Sequence, residues 1–207
     1  MFKNLLNPNN SLMITMSWVT DCIFLSLFWI LGCFPVVTAG ASFAALYDAA
    51  YRSFRRGEKN AWQRFLKGYR ENWKASILPT LAVAVLGWAL LRLMIGAWNA
   101  AAAGTISMAV LSGAAFLGVL ALGILSVVFP LLSRFENSTA GLLKNAVLLA
   151  LAHLPRTVAL GILNAVTAFL CVRFVVPVFF LPALAAFLGS LLIEPMFKPY
   201  MPEEEAA

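Results

Sequence analysis

Asp21, Asp48, Arg92, Arg173 and Glu194 stand inside or at the edges of long apolar runs, where an ionised group is costly enough to need a reason. Such side chains do three kinds of work at membrane depth: they pair with one another, relay protons, or bind a charged solute. Asp48 has Arg52 four residues on, the spacing that brings two side chains together on one helix face, so an intrahelical pair is its expected role. Asp21 has no partner nearby in sequence. Arg92 sits six residues before Trp98, and its stem is long enough to carry the guanidinium to the membrane surface. A transporter or channel would instead require Asp21 or Asp48 to meet Arg92 or Arg173 in a central cavity.

Searches for enzymatic constellations end quickly. The chain has no HExxH zinc helix, no GxSxG nucleophile turn, no GxGD pair and no glycine-rich phosphate loop. Its single histidine, His153, precedes Pro155 at the end of a helix and reads as an interfacial side chain. Cys22, Cys33 and Cys171 all lie in apolar stretches with no metal-binding spacing, as small buried hydrophobes do. The expectation is a protein that is not an enzyme and uses no metal and no cofactor.

The elements that carry these residues are set by composition. Of 207 residues, 62% are hydrophobic and 12% charged, and the mean hydropathy is +0.87. That is an integral membrane chain, all-α: one transmembrane domain over 1–207, a polytopic helical bundle with five or six membrane segments. The net charge of +6 then carries topology, because basic loops stay in the cytoplasm. It gives no case for nucleic acid. Apolar runs place segments at 12–34, 75–98, 106–132, 157–175 and 177–193, with a shorter, more polar one at 41–55. The run from Cys22 to Val37, followed by Ala39-Gly40-Ala41, has the outline of a cleavable leader. Asp21 and the single leading cation Lys3 argue for a retained span. In the short segment Gly40, Ala44, Asp48 and Arg52 fall on one stripe with Ala41, Ala45 and Ala49 beside it, a small-residue surface for close helix packing.

Between Arg52 and Lys74 the chain carries eight cations against two acids. Trp62, Phe65, Leu66, Tyr69 and Trp73 recur there at steps of three and four. This predicts a cytoplasmic amphipathic helix whose Trp62, Phe65, Tyr69 and Trp73 form a face for headgroups or a partner. A second connecting helix runs from Ala140 to Leu154, capped by Ser138 or Thr139 and stopped by Pro155 and Arg156. With both connecting segments inside, the spans between them form an outward hairpin, and the C-terminus lies in the cytoplasm. Six crossings, with Lys3 inside, fit better than five.

The run Phe34-Pro35-Val36-Val37-Thr38-Ala39-Gly40-Ala41, then Ala45-Leu46-Tyr47, Arg56-Gly57-Glu58, Phe65-Leu66-Lys67, Glu71-Asn72-Trp73-Lys74-Ala75 and His153-Leu154-Pro155-Arg156-Thr157, resembles the YesL family of bacterial membrane proteins. Trp73 departs from the smaller or phenylalanine-like aromatic of that pattern. The resemblance implies structural roles for Pro35, Gly40, Tyr47, Pro155 and Arg156. It also implies a multi-pass protein of the bacterial cytoplasmic membrane, of unknown function, found beside carbohydrate ABC importers. The expected function is therefore an accessory subunit. Its partners would be the lipid bilayer, importer permease subunits and a second copy of itself. The alternative is a small independent transporter using the intramembrane Asp and Arg residues.

Overall fold

The computed structural model describes residues 11–135 and 138–200. Lys3 and the acidic run Glu203 to Glu205 lie outside the described residues. Seven α-helices account for nearly all of it, and no strand occurs among the described residues: α1 Ser11–Cys33, α2 Ala39–Arg56, α3 Ala61–Ala102, α4 Met108–Arg134, α5 Thr139–Ala152, α6 Leu154–Arg173 and α7 Leu181–Phe197. Five are long and apolar enough to cross a membrane, at Met16–Cys33, Ala61–Ala102, Met108–Arg134, Leu154–Arg173 and Leu181–Tyr200.

Local chemistry fixes the ends. α2 stops at Gly57, whose φ of 67° is the left-handed conformation a glycine adopts without strain, and the Gly57 and Glu58 amides turn back onto the Arg52 carbonyl. The Ser107 and Ser138 hydroxyls accept from the Val110 and Gly141 amides and so cap α4 and α5. Pro155 occupies the first turn of α6, where its missing amide hydrogen breaks no helical bond.

Several boundaries differ from the sequence reading, among them the last segment, expected at 177–193 and found at Leu181–Phe197. The amphipathic stretch before Lys74 and the span at 75–98 are one helix of 42 residues, about 63 Å long at 1.5 Å per residue and twice the ~30 Å hydrocarbon thickness. Pro79 lies in its interior; Thr80 Oγ1 donates to the Ser76 carbonyl at 2.6 Å beside the bond that proline deletes. The span expected at 157–175 starts at Leu154, because the chain re-enters the helix directly after His153.

α2 is the axle of the bundle. Thirteen of its 18 residues are buried, and it packs against α1, α3, α4 and α7. It runs back along α1, with Trp18 against Phe54 and Trp29 against Phe43. It is also antiparallel to the first turns of α3, where Gly68 lies against Ala45. Lipid tails are as apolar as leucine, so such helices associate through close packing and polar contacts, and the alanines of α2 supply the first. One cluster joins Leu25, Ala45, Leu46, Phe65 and Ala183. A second joins Val127, Leu131, Leu142, Met196 and Phe197 around Tyr47. α4 and α6 meet at glycines: a Cβ on Gly123 would collide with the Thr157 carbonyl, and one on Gly161 with that of Val119.

Candidate functional site

Burying Asp48 would be prohibitive without partners, and the fold brings it three. Arg52 Nε donates to Asp48 Oδ1 at 3.0 Å from one turn along α2, the pair its spacing anticipates. Arg64 Nε of α3 donates to Oδ2 at 2.6 Å. Arg134, the last residue of α4, places Nη1 3.7 Å from Oδ1. Its Nη2 donates at 2.9 Å to Glu194 Oε1 of α7, which also accepts from Tyr47 Oη at 2.9 Å. The Arg134 guanidinium lies over the Tyr51 ring, 4.4 Å from its centre. Arg52 reaches on to Glu58 at 3.4 Å.

Asp48, Arg134 and Glu194 have side-chain exposures of 8%, 7% and 6%, so water screens these charges poorly and each depends on the others. Three guanidinium groups stand against three carboxylates, and the cluster is neutral as a unit. It joins α2, α3, α4 and α7 at one point. Arg134 Nε is its one buried polar atom without a partner among the described residues.

The other residues singled out by sequence are distributed differently. Asp21 accepts from Ser53 Oγ at 3.1 Å, a contact between α1 and α2 outside the cluster. Arg92 and Arg173 are exposed and lie over Trp88 and Phe174 of their own surroundings, 5.7 and 5.6 Å from the ring centres. Neither pairs with Asp21 or Asp48 among the described residues; the most buried arginine at Asp48, Arg134, comes from the end of α4.

The four-aromatic face on α3 is also corrected. Phe65 is 2% exposed, stacked on Phe28 of α1 and on Tyr69, which itself lies against Gly32. Only Trp62 and Trp73 remain open, at 45% each. Helical periodicity identified an apolar face but not its occupants, which are α2 and α1.

Among the motif residues, the Pro35 carbonyl accepts from the Thr38 amide and hydroxyl and closes the turn between α1 and α2. Gly40 is buried where a Cβ would strike Thr80 and Phe129. Arg156 is half-buried in the first turn of α6, beside Pro155. Arg134, Arg64 and Tyr51 were missed as site residues, and Glu194 was recognised only as a charge at depth. A usable signal existed: Arg134 and Glu194 each end a long apolar run with opposite charge. Among the described residues no group of three His, Cys, Asp or Glu side chains could hold a metal ion.

Residues 22–92 match the family model described as "Protein of unknown function, DUF624". No curated protein and no solved structure matches the chain. The matched stretch runs from α1 into the middle of α3. It contains Asp48, Arg52, Glu58 and Arg64 but not Arg134 or Glu194, so it holds four of the six charges of the cluster.

Proposed function

We propose that this chain is a YesL-type, non-enzymatic accessory protein of the bacterial cytoplasmic membrane, which supports a carbohydrate ABC uptake system by docking on its permease through helix and inner-face contacts. The observation that carries this reading is the state of the deep charges. Asp48 and Glu194, which a conduit would leave free to bind or relay, are taken up by Arg52, Arg64, Arg134 and Tyr47 in a contact joining four helices. Meanwhile the flank formed by the end of α1 and the following turn carries Leu31, Phe34 and Val36 at 68%, 91% and 68% exposure, an apolar surface suited to lipid or another membrane helix. In this reading the corner between α2 and α3, with Arg55, Arg56 and Lys59, faces the cytoplasm.

The test is affinity purification of a tagged copy in a mild detergent, from the bacterium that encodes it, with membrane partners identified by mass spectrometry. Stoichiometric recovery of importer permease subunits is expected. Recovery of this chain alone, from cells in which the importer is expressed and survives the same detergent, would overturn stable docking.

A further inference from the structure

The first turns of α3 present a charged face that the accessory reading leaves unused. Lys67, Arg70 and Lys74 are all exposed there, against one exposed carboxylate, Glu71, which sits 3.8 Å from Lys67. Among the described residues Lys59, Arg70 and Lys74 make no ion pair. Trp62, Leu66, Lys67 and Arg70 line an open groove of about 450 Å³ on this face, and Lys74 lies over the Trp73 ring at 5.4 Å. The helix then continues without a break into Leu78, Leu81, Val85 and Leu86, all exposed.

We propose that this face binds anionic phospholipid headgroups, with Lys67, Arg70 and Lys74 meeting the phosphates and Trp62 and Trp73 lying at the same level as interfacial rings. Distance along the helix favours lipid over an acidic protein. Lys74 and Arg70 precede Leu78 by four and eight residues, about 6 and 12 Å of rise, within reach of a headgroup layer for side chains this long. Tryptophan beside lysine and arginine at the rim of an apolar band is the composition that such a layer selects. A cation held near an anionic surface contributes up to roughly fivefold in partitioning, and less where water and salt screen it. The inference stands independently of the importer, and it assigns Trp62 and Trp73 to lipid, leaving partner contacts to the helix flanks and the rest of the inner face.

The experiment uses the purified full-length chain in nanodiscs of equal phosphatidylglycerol and phosphatidylcholine with identical acyl chains, the retained lipids being counted by native mass spectrometry. Wild type is expected to retain phosphatidylglycerol about tenfold over phosphatidylcholine, with K67Q/R70Q/K74Q falling below about threefold. A control variant, K144Q/R156Q/K198Q, removes the same charge elsewhere and is expected to keep the wild-type preference, as is K67R/K74R. Equal retention of the two lipids by wild type would overturn the proposal, as would equal preference in the face and control variants. Wild type that shows no lipid preference but carries a stoichiometric acidic protein on this face would overturn it in favour of a protein partner.

Discussion

Arg134 is the residue on which most of the buried polarity depends, because it alone touches both Asp48 and Glu194. Removing one member of a buried ion pair leaves the others desolvated and uncompensated, at a cost of about 3–5 kcal/mol. Arg134→Met is therefore expected to lose stability on that scale in detergent unfolding curves. Glu194→Gln keeps an acceptor for Tyr47 and is expected to lose less. Arg92→Gln removes an exposed charge and is expected to change stability by less than ~0.5 kcal/mol; a loss as large as that of Arg134→Met would mean that Arg92 has a buried partner. At this scale the sequence was half legible. Asp48 and Arg52 declare themselves by spacing, whereas Arg64, Arg134 and Glu194 come from three other helices, and no local pattern brings them together.

Helices were more legible than their joins. Apolar runs, serine caps and Gly57 mark most ends, since each reflects local backbone chemistry. The join inside α3 was hidden because proline marks a helix start far more often than an interior. The burial of Phe65 was hidden because the polarity of a helix face does not say whether another helix of the same chain covers it. Glycines behave similarly: Gly113, Gly118 and Gly123 look equivalent in sequence, but Gly113 has open space where a Cβ would go, Gly118 meets the flexible Met94 side chain, and Gly123 meets backbone. Gly123→Ala and Gly161→Ala are each expected to destabilise by about 1–3 kcal/mol by forcing α4 and α6 apart. Gly113→Ala is expected to be neutral or to gain up to ~1 kcal/mol from helix propensity. The same unfolding curves decide this, and equal effects at Gly113 and Gly123 would contradict the crossing.

At the scale of the whole molecule, a membrane chain was evident from composition, but the handling of its charge was not. Arg52, Arg64 and Arg134 are neutralised in a contact across four helices, whereas Lys67, Arg70 and Lys74 stand exposed on the first turns of α3. Orientation follows from the second set. In a background with Cys22, Cys33 and Cys171 replaced, an impermeant maleimide is expected to label Ala103→Cys, in the turn between α3 and α4, on intact cells. Lys59→Cys, between α2 and α3, is expected to react only after permeabilisation, and the opposite pattern would invert the topology.

The claim underlying all three scales is that Arg134 and Glu194 form a structural contact closing α4 onto α7. A double-mutant cycle with Arg134→Met, Glu194→Gln and the pair, followed by unfolding in mild detergent, measures that contact directly. A coupling energy of about 0.5–3 kcal/mol is expected, the double variant losing less than the sum of the singles. Strictly additive losses would show that the two side chains do not stabilise one another and would contradict the account.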